Sequence, residues 1–499
     1  MAALCLQQAR AYAGSVAVFD EHETLTYAEL AERARRVSGA LTLCGVSAGD
    51  RVVVIGRNSV AWVSVAFGIM LAGCTVVPIG YANSERERRT VIANTAPALV
   101  VSEQEPATPH GQVSDGAGGR TISFAELLDV AAQATAQPTG EPAPIDPDSA
   151  ALIMSTSGST GVPKQVPMSH GQLVRLYADV ATRLGLRSSD RLLCAVPLAH
   201  SFGFNGVLLG GLLAGAAVRL VEHYDRIGLG ELMVQERLTA VLGPPTILFD
   251  LVHSGQPDVA AGCRMAVSGG SDVPLEQMRS ACRQLGITQM FVGYGLTEAC
   301  GTVALGEVAD AADSALPLLR PVDDLTVVVV DDDGRPVPAG VDGHIRCRGR
   351  NVMSGYVGDP GATEDAIDPE GWLLTGDLGS LDAQGRLSIA SRAKDTVIVS
   401  GFNVYPREVE HVLLEDEAVT EAAVVGIPDE RQGQRLVACI TTTPGHTLDA
   451  DRLLEQCRAS LTPYKVPRVL IELDALPTTA TGKRSRAALQ AYAIAHQSA

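Results

Sequence analysis

The sequence predicts an α/β protein of parallel β–α–β layers with a small separate unit at its C-terminal end. Three observations carry this. Short β-branched runs alternate with longer stretches whose apolar residues recur about every 3.6 positions. The 499 residues call for two or more domains. The pattern starts afresh near Ser391, dividing the chain into residues 1–391 and 392–499.

Composition agrees with a soluble, globular chain: 46% of residues are apolar and 19% charged, which excludes disorder and collagen-like structure. The 39 Lys and Arg face 57 Asp and Glu, a net charge of −18 with no basic patch, so neither nucleic acid nor an anionic membrane surface is an expected partner. The ten cysteines (5, 44, 74, 194, 263, 282, 300, 347, 439 and 457) form no CxxC pair, which fits a reduced, cytoplasmic setting better than disulfides or a zinc site.

Taken in order, the opening MAALCLQQARAYAGS lacks the basic and apolar stretches of a secretory signal, so export is not expected. Tyr27–Leu43 predicts a helix, Arg51–Ile55 (RVVVI) a strand, Ala61–Leu71 a helix and Ala98–Val101 a strand. Glu103–Asp148, rich in Pro, Gly, Ala, Thr and acids, predicts an irregular surface excursion. The strand-like ALIM leads into STSGSTGVPK (155–164), and Gly171–Leu184 predicts the next helix. Leu192–Val218 carries no charge and is long enough to cross a bilayer, but Pro197, His200, Ser201 and Asn205 interrupt it. It reads as a buried strand plus helix, and no membrane span is expected. Strands follow at Ala240–Leu242, Met290–Val292 and Leu325–Val330, with a helix at Leu275–Leu285. Beyond Ser391, VTEAAVVGI, RLVACITT and LDADRLLEQCRASL supply new strand and helix signals. There is no internal repeat.

STSGSTGVPK reads as a phosphate-binding loop. Gly158 and Gly161 let backbone N–H groups turn inward, the Thr156, Ser157, Ser159 and Thr160 hydroxyls add donors, and Lys164 adds a cation. A Walker A loop needs Gly-Lys-Ser/Thr at its end; here Gly161 is followed by Val-Pro-Lys and Lys164 by Gln165, which disfavours ordinary P-loop kinase or GTPase chemistry.

The same segment resembles the signature loop of the adenylate-forming superfamily: acyl-CoA synthetases, peptide-synthetase adenylation domains and luciferases. Seven further blocks follow in the family's order: PLAHSFGF (197–204), SGGSDVP (268–274), GYGLTEA (293–299), GHIRCRGRNVMSGY (343–356), GWLLTGDLG (371–379), SRAKDTVIVSGFNVYPREVE (391–410) and PTTATGKRSR (477–486). The resemblance covers essentially the whole chain. It implies a large multi-sheet N-terminal domain, a small mobile α+β C-terminal domain and an active site where they meet.

The chemistry these residues suit is activation of a carboxylate. A carboxylate is a poor acyl donor because its leaving group would be oxide; attack on the α-phosphorus of ATP gives an acyl adenylate and pyrophosphate, from which a nucleophile expels AMP. Negative charge crowds that centre, so catalysis rests on positioning plus cations and donors. Lys164, Lys483 and Mg²⁺ would supply the cations. The resemblance makes Lys483 the catalytic lysine of adenylation. In GYGLTEA it gives Tyr294 the adenine ring, with Gly295 at the turn, Thr297 the α-phosphate and Glu298 the Mg²⁺. Asp377 and Arg392 are implied as ribose contacts. Gly270 and Ser271 are implied beside the adenine, although SGGSDVP departs from the commoner Gly-Ala-Pro ending. Lys394 matches the hinge about which the small domain turns between half-reactions, and Ser400, Gly401 and Phe402 would then face an incoming pantetheine.

For the acid, amino-acid-activating relatives place an Asp in the PLAHSFGF region, whereas this chain has no acid between Asp190 and Glu222. An α-amino acid is therefore disfavoured. His200 resembles the gate of acyl- and aryl-CoA ligases, and Phe202, Asn205, Gly269, Gly293, Thr302 and Val303 match acyl-pocket positions, which suggests a fatty or aryl acid. The expected activity is ATP-dependent acyl-CoA synthesis. The alternatives are loading of the phosphopantetheine of an acyl or peptidyl carrier protein, a silent nucleotide sensor, which Lys164, Glu298, Asp377 and Lys483 argue against, and a luciferase-like oxygenase. A monomer or homodimer is expected.

Overall fold

A computed structural model describes residues 2–103, 120–133, 145–156, 163–254, 262–269, 275–308, 316–392, 395, 397–399, 402–429, 433–443, 445–478 and 484–496. Two large sheets carry the first part of the chain. One runs, in spatial order, Arg320–Pro321, Ala304–Glu307, Gln289–Tyr294, Met265–Gly269, Ala240–Gly243, Arg191–Cys194, Ala217–Leu220, Val16–Phe19 and Thr24–Thr26. Its five central pairings, from Gln289–Tyr294 to Val16–Phe19, are parallel. The other runs Arg120–Ser123, Leu99–Ser102, Arg51–Gly56, Thr75–Gly80, Ala150–Thr156 and Lys164–Ser169, parallel except for its last pair.

The apolar runs explain this layering. In RVVVI, Val52 and Val54 join the main core while Val53 and Ile55 face a second apolar cluster with Val77, Ile79 and Ile153, so both faces of the strand are buried and no polar alternation appears. The helix Tyr27–Leu43 matches its expected bounds, fixed by a capping box in which Thr26 and Glu29 satisfy each other's backbone N–H groups.

Two readings change. Within the excursion expected at Glu103–Asp148, the described residues include a strand, Arg120–Ser123, paired with Leu99–Ser102, and a helix, Phe124–Gln133, that buries Leu127 and Ala131. A bond from the Ser123 amide to Glu126 Oε2 at 2.8 Å starts that helix. The Pro- and Gly-rich flanks had swamped this short signal. Leu192–Val218 does form a buried strand and helix, but the helix is a π-helix over Phe202–Leu209 continued by Gly210–Leu213. Among the described residues no helix is long and apolar enough to cross a membrane.

A four-stranded antiparallel sheet, Leu325–Val330, Gly343–Gly349, Leu373–Leu381 and Leu387–Arg392, follows. The last sheet orders Phe402–Val404, Val397–Val399, Gly433–Thr442 and Val419–Asp429, with Val469–Glu472 beside Gly433–Thr442. Along Val419–Asp429, Ala422 and Val424 face one apolar cluster with the helices Pro406–Leu414 and Ala450–Ser460. Ala423, Val425 and Ile427 face another with Leu489 and Ala493 of the helix Arg486–Ala495. These two clusters draw only on residues 397–493, whereas the main core ends at Leu387.

Candidate active site

The strands on either side of the expected phosphate loop, Ala150–Thr156 and Lys164–Ser169, pair antiparallel. Thr156 pairs with Lys164 across antiparallel strands, and Thr156 Oγ1 donates to the Lys164 carbonyl at 3.4 Å. Ser157, Gly158, Ser159, Thr160 and Gly161 lie outside the described residues, as do Gly270, Ser271, Lys394, Ser400, Gly401 and Lys483. Arg392 and Phe402 are described in backbone only. After these strands, Ser169 and Gln172 form a capping box that starts the helix His170–Arg183. Gln172 Nε2 also donates to the carbonyls of Arg350 at 2.8 Å and Val352 at 3.1 Å, tying the strand pair to the segment that leads into Tyr356.

GYGLTEA leaves the C-terminal end of a parallel strand, where α/β sheets place their ligands. It turns tightly. A Cβ on Gly295 would lie 2.0 Å from the Gly301 carbonyl oxygen, so only glycine fits there. A Cβ on Gly269 would lie 2.4 Å from the carbonyl oxygen of Gly293, its parallel-strand partner. Thr297 opens a single helical turn to Ala299, leaving Thr297 and Glu298 partly exposed at its start.

Three of the predicted residues meet polar partners here. The Tyr294 phenol donates to Asp377 Oδ2 at 2.5 Å, and burial together with that carboxylate pushes the phenol well above its ordinary range, keeping it a donor. Asp377 is buried, donates its backbone N–H to Thr375 Oγ1 at 3.1 Å, and pairs with Arg392 across the strands. Glu298 Oε1 accepts from the Tyr356 phenol at 2.8 Å, and Lys164 Nζ stands 4.8 Å from the centroid of the same ring.

Several of the residues expected to line the acid pocket are bonded to this loop or lie next to it in the chain. His200 begins the turn into the π-helix, its Nδ1 accepting from the Phe202 amide at 3.2 Å. Such helices concentrate at functional sites. Asn205, fully buried, donates to the Cys300 carbonyl at 3.2 Å, so the π-helix is bonded to the turn after Glu298. Tyr177 donates to the same carbonyl at 2.9 Å and lies 3.3 Å from Thr302 Oγ1. Val303 is fully buried and bonds its N–H to the Tyr294 carbonyl. Sequence reasoning missed Tyr177, whose helical spacing reads as plain core, and Tyr356, which closes the GHIRCRGRNVMSGY block without a role. Burial pushes the Cys300 thiol up to about 12, which keeps it protonated near neutral pH.

Among the described residues no cluster of three or more His, Cys, Asp or Glu could hold a metal ion alone. A hard, oxygen-seeking ion shared between Glu298 and the phosphates of ATP fits the donors present. A cleft of about 840 Å³ borders Tyr356 and is lined in part by Arg51, Ile153 and Pro167, with none of the predicted residues on its walls.

Comparison with known proteins gives one answer. Residues 5–357 match the family model "AMP-binding enzyme" and residues 408–483 the model "AMP-binding enzyme C-terminal domain". The chain is 34% identical to a feruloyl-CoA synthase of an Amycolatopsis species over 483 residues, 96% of each chain. It is 33% identical, over 95% of each chain, to a Rhodococcus jostii CoA ligase acting on a methyl-dioxo-octahydroindenyl propanoyl group. Among solved structures, o-succinylbenzoate CoA synthetase (MenE) from Bacillus subtilis with its acyl-adenylate intermediate matches at TM-score 0.83 and 28% identity, covering 98% of this chain and 97% of that one. The same enzyme with ATP and magnesium matches at 0.82. The eight ordered motifs, the sheet order and these matches along nearly the full length place this chain in the adenylate-forming family of AMP-binding enzymes.

Proposed function

We propose that this chain is an AMP-forming acid–thiol ligase that converts a fatty or aryl carboxylic acid to its CoA thioester. The observation that carries it is the meeting, at the end of one parallel strand, of Tyr294–Asp377 and Glu298–Tyr356–Lys164. The first pair suits a nucleoside; the second group suits a polyphosphate and its metal.

In the first step a carboxylate oxygen of the acid attacks the α-phosphorus of ATP, forming an acyl–phosphate bond and releasing pyrophosphate. Asp377 accepts from the ribose hydroxyls, held in place by Tyr294, whose ring flanks the adenine. Lys164 and Thr297 offer a cation and a donor to the phosphates, and Lys483 reaches the α-phosphate and the acid. Glu298 would hold Mg²⁺, which when bound would supply positive charge against the triphosphate. In the second step the CoA thiolate attacks the acyl carbon and AMP leaves.

The chain would divide at 391/392 with its hinge at Lys394. The apolar clusters, separate on either side of that point, support this. Ser400, Gly401 and Phe402 would border the pantetheine. CoA is favoured over a carrier protein because the named relatives are CoA ligases. The acids of the named relatives support a neutral apolar or aryl acid here, gated by His200, with Phe202, Asn205, Gly269, Gly293, Thr302 and Val303 shaping its site.

Acid-dependent exchange of labelled pyrophosphate into ATP tests the first step. Exchange with fatty, benzoic or cinnamic acids and none with α-amino acids is the expected result; exchange with amino acids alone would overturn the reading.

A further inference from the structure

Tyr356 joins two groups that the reaction needs apart in charge but fixed in distance. Its phenol donates to Glu298 Oε1 at 2.8 Å, while its ring face lies 4.8 Å from Lys164 Nζ, well inside the range in which a ring attracts an ammonium. Among the described residues no carboxylate lies within ion-pair distance of Lys164 Nζ, and Glu298 Oε2 carries no hydrogen bond. One oxygen of Glu298 is therefore held and the other is left for a cation.

The segment bearing Tyr356 is itself anchored on three sides. The Val357 amide donates to the carbonyl of Gln165, next to Lys164, at 2.9 Å. The Met353 amide donates to the Glu298 carbonyl at 2.8 Å. Gln172 holds the carbonyls of Arg350 and Val352. Tyr356 itself is bonded through its amide to Thr363 Oγ1 at 2.9 Å. A ring fixed at its backbone and at its hydroxyl has little freedom, which is what a positioning group needs.

We infer that Tyr356 is a positioning residue for adenylation: its phenol aims Glu298 at the magnesium of Mg·ATP, and its ring face parks the Lys164 ammonium at phosphate distance before ATP binds. This rests on the roles given above to Glu298 and Lys164. The two halves of the side chain do separate work. Tyr356→Phe removes the phenol and keeps the ring; Tyr356→Leu removes both.

The test is initial-rate pyrophosphate release at saturating acid, titrated separately with Mg²⁺ and with ATP. Tyr356→Phe raises the magnesium concentration for half-maximal rate about 10-fold, the lower end of what loss of one charge-assisted hydrogen bond costs, and leaves KM for ATP within about 2-fold. Tyr356→Leu raises both. In the Glu298→Gln background, Tyr356→Phe adds no further magnesium defect, since the bond it breaks is already weakened. A Tyr356→Phe enzyme that titrates with magnesium as the wild type does, or a double variant in which the two defects simply multiply, overturns the inference. Glu298→Gln and Lys164→Ala assayed alongside separate the causes: if they too leave both titrations unchanged, the site itself has been misread.

Discussion

Tyr294 and Asp377 belong to different sheets and are joined by a 2.5 Å hydrogen bond from phenol to carboxylate. That bond locks the strand ending in GYGLTEA to the strand carrying TGDLG, so the proposed adenine and ribose contacts are set by one interaction. Loss of the donor leaves a buried carboxylate less well satisfied, and loss of the carboxylate removes the sugar's acceptor. Tyr294→Phe should raise KM for ATP about 5-fold with a smaller fall in kcat. Asp377→Ala should lower kcat/KM for ATP about 100-fold. Pyrophosphate release over a range of ATP concentrations reads both; an Asp377→Ala enzyme with unchanged KM would dissociate this pair from nucleotide binding.

Gly295 has no space for a side chain, because its Cβ would stand 2.0 Å from a backbone oxygen that cannot move aside cheaply. Gly295→Ala should therefore cost at least about 2 kcal/mol of stability, an overpacking penalty, and also distort the turn that presents Thr297 and Glu298. Denaturant unfolding alongside adenylation assays checks this, with Gly14→Ala as control: neither glycine has a positive φ, but no atom lies within 4 Å of the Gly14 Cβ position. Equal stability losses in the two variants would mean that the contact does not set the cost.

His170 begins the helix after the strand Lys164–Ser169, and burial lowers its pKa from 6.5 to about 4. The unfolded chain thus binds this proton first as pH falls. Stability from the neutral ring is complete above pH 6.5 and is lost progressively between 6.5 and 4. Relative to His170→Gln, the wild type should lose about 2 kcal/mol between pH 7 and pH 5, measured by denaturant unfolding. A pH-independent difference would show that the imidazole is solvated in the folded state.

In the roles proposed for them, Lys483 and Lys394 should be separable by half-reaction. Lys483→Ala should cut acid-dependent pyrophosphate release by at least about 100-fold while supplied acyl-AMP still transfers its acyl group to CoA. Lys394→Pro, which fixes φ at the proposed hinge, should harm thioester formation more than adenylation. Equal losses in both steps would remove the hinge from the account.

Much of the fold was legible because a strand buried on both faces writes itself as a continuous apolar run, as in RVVVI, and because Thr26, Ser169 and their partners three residues on mark helix starts. The strand and helix over Arg120–Gln133 were not, since four residues of strand carry too little pattern against Pro-rich flanks. At the site, the motif residues Tyr294, Glu298 and Asp377 did come together. The π-helix at Phe202–Leu209 has no periodicity that distinguishes it from an α-helix over so short a span. The Tyr177 and Tyr356 hydroxyls bond to partners at least 123 and 58 residues away, which no local spacing reveals.

The most direct test is to incubate the protein with ATP, Mg²⁺ and a panel of fatty, benzoic, cinnamic, dicarboxylic and amino acids, with and without CoA, and to read the products by mass. The account predicts an acyl-CoA thioester, AMP and pyrophosphate in equal amounts for one class of fatty or aryl acid, with none of the thioester formed when CoA is withheld. Acyl-AMP that accumulates and ignores CoA would contradict it.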